Sequence, residues 1–356
     1  MIEADGIEAI SISYTAGVAA AALTGLGPSE FSFLLLIGAA LLALDCAVHR
    51  EGPKFRGNLM LFLLGAFSFS CANIPQYRPQ LFIKELEWTK MRIQSIPFAD
   101  KNVNHILTAL LTGDRNLVDK DTVRAFRESG AAHILALSGM HLGIIYGILG
   151  ILAKPLGKSG AALRIRSIFI IAFCALYTAL TGAGPSLVRA LLFIILREIS
   201  SNNRHRRRDS GKLFCTALLL QLNLDPLSIK SLSFQLSYLA MTGICFVYPA
   251  LHNWYAKACE GKIPKFSIAA RIWDTCALSV SCQIFTGPLA WLRFGVFPKY
   301  FLLTNLLCLP LSEALILCGL ACFVLNIAGI TVAPLVTLTG WLCRTLEYCL
   351  EVIAGM

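Results

Sequence analysis

Long apolar runs recur along the whole chain, near residues 8–24, 31–48, 57–74, 133–153, 165–182, 185–200, 212–224, 231–250, 272–294, 301–326 and 330–353. A run of about 20 such residues is enough to cross the hydrocarbon core of a bilayer. Several of these runs are short or interrupted by Gly and Pro. The pattern predicts an all-α polytopic transmembrane bundle of about 10–11 helices, some of them broken.

Composition agrees and removes the soluble alternatives. Of 356 residues 56% are apolar and 15% charged, against about 25% charged in soluble domains. A soluble fold of this length needs more polar surface than that. The net charge of +10 is first a matter of topology, because cytoplasmic loops of membrane proteins collect Lys and Arg. The 13 cysteines sit mostly inside apolar runs (Cys174, Cys215, Cys245, Cys308, Cys318, Cys322). No CxxC pair and no Cys/His group with zinc-ligand spacing occurs, so they read as small buried apolar residues. Neither a metal nor a cofactor is expected. The first run lacks a basic leader and an A-x-A-type cleavage site, and reads as a retained helix or anchor.

The basic loops orient the bundle. His49–Arg56, Lys154–Arg166, Arg197–Lys212 and Leu251–Arg271 hold most of the excess charge and fall on one side of the predicted spans, which must be the cytoplasm. The turns between them (Gly25–Glu30, Thr181–Gly184, Asn223–Ser231) are short and nearly free of basic residues. The run Arg204–Arg208 serves as a topological anchor without any further role. Three regions follow: N-terminal helices over 1–75, an extracytoplasmic segment of amphipathic helices over 76–132, and a helix bundle over 133–356. Gln76–Ala132 carries nine basic and seven acidic residues. Within it Val103, Ile106, Leu107, Leu110 and Leu111 recur at helical spacing, and a second short helix is expected from Asp119 to Arg127 with Val123 and Phe126 facing inward. Both helices are expected on the outer membrane surface or over the mouth of the bundle.

Polar side chains are costly at membrane depth and mark candidate functional positions. The segment His133-Ile-Leu-Ala-Leu-Ser138-Gly139-Met140-His141-Leu-Gly143 holds two imidazoles, a hydroxyl and two glycines. Ser138 and His141 are three apart, hence neighbours on one helix face, and Gly139 with Gly143 permits close helix approach. In Thr181-Gly-Ala-Gly-Pro185-Ser186-Leu-Val-Arg189, Pro185 after glycines marks a helix restart whose N-terminus can receive an anion. Asp225-Pro226 reads as a turn, leading into Gln235, Ser237 and Tyr238 within a span. Gln283 with Gly287-Pro288, and Asn305 with Pro310, are read as polar groups beside helix breaks, which favour a cavity or channel.

At these residues the sequence resembles the ComEC-type competence proteins. Gly113-Asp114-Arg115, Phe126 to Gly130, His133–Gly143, Pro185-Ser186 with Arg189, Asp225-Pro226, Phe234–Ser237, Gln283 to Pro288, Phe294-Gly295 and Asn305 to Pro310 follow one another as in that family, over about residues 103–312. The His-x4-Ser-Gly-x-His-x-Gly string is the specific part. The resemblance implies a plasma (inner) membrane, multi-pass channel that takes single-stranded DNA inward during natural transformation. Its partners would be single-stranded DNA and membrane lipids, with a separate nuclease, DNA receptor and cytoplasmic motor.

Two departures qualify that expectation. Family members often carry an oligonucleotide-binding-type domain where Gln76 to Asp100 leaves 25 residues, too few for a five-stranded barrel. Many also end in a metallo-β-lactamase-like domain, whose HxHxDH string does not occur here. The resemblance therefore implies a path without its own catalysis. On it His133, Ser138, Gly139, His141, Pro185, Ser186, Arg189, Gln235, Ser237, Tyr238, Gln283 and Asn305 line the path, and Asp114 and Arg115 stand at its extracytoplasmic entrance. The alternatives are an exporter of another polymer or small anion, and an intramembrane serine hydrolase using Ser138 and His141. The latter needs a base in hydrogen-bond reach, an oxyanion hole and an orienting carboxylate, and no such carboxylate is evident nearby.

Overall fold

The computed structural model describes residues 2–24, 53–72, 82–157, 159–201, 210–258, 268–295 and 299–355. The expected span at 31–48, the turn Gly25–Glu30, the run Arg204–Arg208 and the lysines at 158, 262 and 265 lie outside them. The regular elements among the described residues are all helices. They are α1 (Ile2–Thr24), α2 (Pro53–Ala72), α3 (Ile83–Gln94), α4 (Lys101–Thr112), α5 (Lys120–Glu128), α6 (Ala132–Leu135), α7 (Gly139–Leu152) and α8 (Gly160–Leu180). There follow α9 (Pro185–Ser201), α10 (Ser210–Leu224), α11 (Leu232–Phe246), α12 (Tyr248–Ala258), α13 (Ile268–Phe294), α14 (Phe301–Ile327) and α15 (Ala333–Ala354).

Five stretches among the described residues are long and apolar enough to cross a membrane: Gly6–Thr24, Gly160–Leu180, Leu232–Trp254, Ala269–Phe294 and Phe301–Ile327. The protein is a polytopic all-α membrane bundle. Expected spans at 185–200 and 212–224 are helices of 17 and 15 residues. The expected span at 133–153 is not one helix but two, α6 and α7, separated by Ala136–Ser138.

The chain forms two compact units, each made of segments distant in sequence. The first comprises Met1–Pro79 and Leu191–Tyr238. In it α1 packs on α2 and α10 around Tyr14, Val18, Ala66, Phe69, Leu222 and Phe234. Gly17 faces the Phe62 carbonyl and Gly65 the Tyr14 carbonyl so closely that a Cβ at either position would overlap backbone. Helix contact through small residues is the usual way to bring helices close in a membrane, where burial of apolar area supplies little drive. Asp225-Pro226 opens a 3-10 turn over Pro226–Lys230, closed by Ser228 donating its N–H (3.1 Å) and Oγ–H (2.7 Å) to the Asp225 carbonyl.

The second unit comprises Gln80–Ala190 and Leu239–Met356. Its core joins α4, α5, α6, α14 and α15 through Ile106, Leu107, Leu110, Phe126, Leu135, Leu315, Leu346 and Leu350. Helix α4 begins where the Asp100 carboxylate accepts from Asn102 N–H (2.9 Å) and ends at Gly113, whose φ of 81° needs a residue without Cβ strain. Helix α5 begins at Asp119, which accepts from Asp121 N–H (3.1 Å), and it buries Phe126 with Val123 packed beside the core, as its periodicity predicts.

Helix α4 departs from expectation. Instead of resting one apolar face on a surface, it is buried from Val103 to Thr112 apart from half-buried His105. Leu107 packs against Gly319, in the middle of α14. Its polar side chains are satisfied internally: Asn104 donates to the Ile93 and Ile96 carbonyls (2.9 and 3.0 Å), and Thr108 and Thr112 donate to carbonyls one turn back, each at 2.7 Å. Asn102 ties its first turn to Glu347 of α15 (2.6 Å).

The proline-interrupted runs also differ. Pro288 lies inside α13 and Pro310 inside α14, and both helices continue past them. A proline removes one backbone bond and crowds the preceding turn; in a membrane bundle neighbouring groups can compensate for the freed carbonyl, so the helix need not end there.

Candidate functional site

The site is built at the start of α7. Ser138 is not on the helix face: its φ of −127° and ψ of 171° are extended, and it is the cap preceding Gly139. The Ser138 hydroxyl accepts from Met140 N–H (3.3 Å). His141, in the first turn, folds its ring back so that Nδ1 accepts the Ser138 backbone N–H (3.2 Å) and lies 3.1 Å from Ser138 Oγ. Reciprocal bonds of this kind form a capping box, usually closed by Glu or Gln; here an imidazole closes it. The expected i, i+3 pairing of Ser138 and His141 therefore exists, but across a helix start.

The chemistry of that bond assigns a tautomer. Nδ1 receives a backbone N–H and must present a lone pair, so the neutral ring carries its proton on Nε2. Nε2 is buried and has no hydrogen-bond partner among the described residues, and the residue as a whole is 1% exposed. A buried donor left unpaired costs about 1–3 kcal/mol.

Gly139 opens a second contact. A Cβ there would lie 3.1 Å from an Arg189 guanidinium nitrogen and 3.4 Å from Ala190 Cβ, so the missing side chain is what lets α9 approach α7. Arg189 lies one turn into α9, which starts at Pro185 as its sequence predicts; Gly182 and Ala183 before it take φ of 84° and 49°. Ser186 is half-buried beside Pro185. Cys282 of α13 lies within electrostatic reach of the guanidinium, and its thiol donates to the Ala240 carbonyl (3.8 Å). Ser138, Gly139, His141, Arg189 and Cys282 are thus gathered from three helices that are far apart in sequence.

The remaining expected residues divide. His133 is exposed on α6 with Nδ1 3.1 Å from the Gly130 carbonyl, within electrostatic reach of His141. Gln283, next to Cys282, is half-buried. Asn305 is half-buried on α14 with a buried Oδ1 that has no partner among the described residues. In the first unit, Gln235 donates to the Ile229 carbonyl (2.8 Å) and so clasps the 3-10 turn. Tyr238 donates to Gln221 (2.9 Å), and its ring meets Phe214 in an edge-type contact and Phe234 at a tilt. Ser237 is half-buried beside it.

At Gly113-Asp114-Arg115 the arginine is exposed, and the aspartate is engaged by Lys90 (2.6 Å), which also reaches Glu87 (2.8 Å). The Lys90 ammonium holds the Asp114 carboxyl below the usual carboxylate range. Burial works against the charge of Lys90, but its bonds to Asp114 and Glu87 outweigh that and raise its pKa. Gly113 itself sits against Leu137, whose Cδ1 would lie 2.6 Å from a Cβ there. This links the turn after α4 to the segment just before Ser138. Tyr177 of α8 adds a bond from its hydroxyl to the Leu111 carbonyl (2.9 Å). Sequence reasoning missed Lys90, Tyr177 and Cys282. Only Lys90 carried a local signal, its i, i+3 spacing from Glu87.

The profile of the competence protein family matches residues 110–356, well over half of the chain. The chain belongs to the competence protein family. Similar proteins include ComE operon protein 3 of Bacillus subtilis (strain 168), 34% identical over 133 residues, 37% of this chain and 17% of that protein. Recombination protein 2 of Haemophilus influenzae is 28% identical over 224 residues, 59% of this chain and 27% of that protein. The uncharacterized protein YcaI of Escherichia coli (strain K12) is 26% identical over 217 residues, covering 58% of this chain and 27% of that protein. The matched stretch thus spans about a quarter or less of each relative. No solved structure matches. The matched region of this competence protein contains the Ser138–His141 cap, Gly139 and Arg189.

Proposed function

We propose that this competence protein forms a path for single-stranded DNA moving inward across the bacterial plasma membrane during natural transformation. The observation that carries the reading is the contact between the start of α7 and Arg189 of α9, inside the family-matched region of a membrane bundle. A guanidinium and a helix start present positive potential where a polyanion would otherwise meet a low-dielectric barrier. His141 adds a donor without adding charge. His133 and Asn305 belong to the same path in this reading, with Arg115 near its outer opening.

The reading gives the chain no catalytic step. Ser138 Oγ serves as a helix cap, and the face of the imidazole that would need an orienting carboxylate, Nε2, has no partner among the described residues. Any strand cleavage, DNA capture outside and pulling inside are assigned to other proteins.

Uptake of labelled DNA by cells carrying the deleted, wild-type or Arg189→Ala gene tests this. Deletion is expected to abolish uptake. Arg189→Ala is expected to lower transformation by about tenfold or more with unchanged membrane insertion. Wild-type transformation frequency in the Arg189→Ala strain would remove the residue from the path, and full uptake in the deletion strain would remove the function. Export of a different labelled polyanion from the deletion strain, with uptake intact, would point to the exporter reading.

A further inference from the structure

We infer that the turn Ser138–His141 is a binding site for one phosphodiester oxygen, with His141 Nε2–H as its donor. The inference rests on the conduit reading for where the ligand comes from, but the site itself follows from hydrogen-bond accounting. The Ser138 N–H occupies Nδ1 at 3.2 Å, which forces the ring proton onto Nε2. That donor is buried on a residue 1% exposed, and nothing among the described residues accepts from it. Buried donors in folded proteins are paired almost without exception, so an orphan of this kind asks for an acceptor that the described residues do not supply.

The acceptor's charge follows from the surroundings. The ring lies folded over the first turn of α7, a helix of 14 residues whose start carries positive potential. The Arg189 guanidinium packs against Gly139 in the same turn, and the second imidazole in reach is His133. No Asp or Glu among the described residues forms a hydrogen bond or ion pair with this turn's side chains in the structure. A neutral acceptor gains one bond here; an anionic oxygen gains the bond, the helix start and the guanidinium together. With no described carboxylate bonded to Ser138 or His141, the anion in this proposal is a ligand. Ser138, Gly139 and Met140, beside the ring, are half-buried. In a membrane two sources share the chemistry, the backbone of DNA and the headgroup of a phospholipid.

The test uses the full chain with 15N-labelled histidine, purified in phosphate-free maltoside detergent. The free protein is expected to show His141 as the Nε2–H tautomer. Adding a single-stranded oligothymidylate is expected to move the His141 Nε2–H resonance, and the same oligomer with uncharged methylphosphonate linkages is expected to leave it in place. A response to phosphatidylglycerol alone, to which oligothymidylate adds nothing, assigns the phosphodiester to lipid. A response to neither probe, or an Nδ1–H tautomer in the free protein, overturns the site.

His141→Glu keeps a capping acceptor at the same position, as in the usual capping box, while removing the donor and adding a negative charge. It is expected to weaken oligothymidylate binding by about tenfold or more with little change in melting temperature. His141→Gln keeps the cap and carries an N–H₂, and is expected to recover most of the binding that Glu loses; it also serves if the Glu variant folds poorly. Equal binding by wild type and both variants would count against the assignment. The two readings fail separately: resonance shifts with normal uptake in a deletion strain would sink the conduit and leave the site. Lost uptake in Arg189→Ala with an unresponsive His141 would do the reverse.

Discussion

Ser138 shows what a single side chain decides here. Its hydroxyl accepts from Met140 N–H and its backbone donates to His141, so removing the hydroxyl loosens the start of α7. Ser138→Ala is expected to destabilise the protein by about 1 kcal/mol, the usual cost of a lost cap, measurable as a lower melting temperature in detergent. Lys90 and Asp114 make a second, titratable prediction. The carboxyl is shifted down and the ammonium up, so the stabilisation from Asp114 is present above about pH 4 and is lost as pH falls through its lowered value. That from Lys90 holds below about pH 10 and is lost as pH rises past its own. Lys90→Met is therefore expected to melt earlier than wild type at pH 7, with the gap narrowing below about pH 4. A gap independent of pH would show that the Lys90–Asp114 charge pair does not hold the turn. The sequence displayed Ser138, His141 and Arg189 plainly, because ionisable and hydroxyl groups in apolar runs stand out. It hid the cap, because a histidine closing a capping box has no spacing signature distinct from a pair on one helix face. It hid Cys282 among many other apolar-run cysteines, and it hid the partners of Gln235 and Tyr238, which lie six and seventeen residues away in chain.

Among the helices, close crossings are set by glycines whose environments differ sharply. Gly243 of α11 meets the Ser281 backbone carbonyl of α13 so tightly that a Cβ would overlap it, whereas Gly147 of α7 has open space around it. Gly243→Ala is expected to lower the yield of folded, detergent-stable protein severalfold, since backbone cannot step aside as a side chain can. Gly147→Ala is expected to be neutral or slightly stabilising through helix propensity. Comparable loss in both would mean that the α11–α13 crossing is not tight. Gly319 is an intermediate case, because its neighbour is the end of the Leu107 side chain. Gly319→Val is expected to destabilise, and Leu107→Ala in the same molecule to restore part of the loss; additive losses would place α4 elsewhere. At this scale the long spans α8, α13 and α14 were legible from hydropathy within a few residues. Pro288 and Pro310 misled, since the rule that proline ends helices assumes water waiting for the freed carbonyl. Helix α4 misled for a related reason: its Asn and Thr side chains look like a polar face until their acceptors, the carbonyls of its own and the preceding helix, are known.

For the whole molecule, hydropathy and the distribution of basic residues were sufficient to identify an all-α polytopic protein, and the ordered series of short motifs was sufficient to place it in the competence family. What a linear reading does not display is the composition of the two units, each assembled from an early and a late stretch of chain. Hydropathy measures how apolar a segment is and carries no information on which segment it meets. The same limit applies to the path: the family profile and the chemistry of the α7 start support one, and uptake by the deletion strain decides it.

The seat of α4 has a temporal side. The ribosome finishes this helix at Thr112 and does not reach Phe301, the first residue of α14, until nearly two hundred residues later. During that interval a helix carrying Asn104, Thr108 and a row of leucines has neither of its eventual neighbours, α14 and α15. Messages truncated before Phe301 should therefore yield α4 in a protease-accessible state, and only chains completed through α15 should shield it.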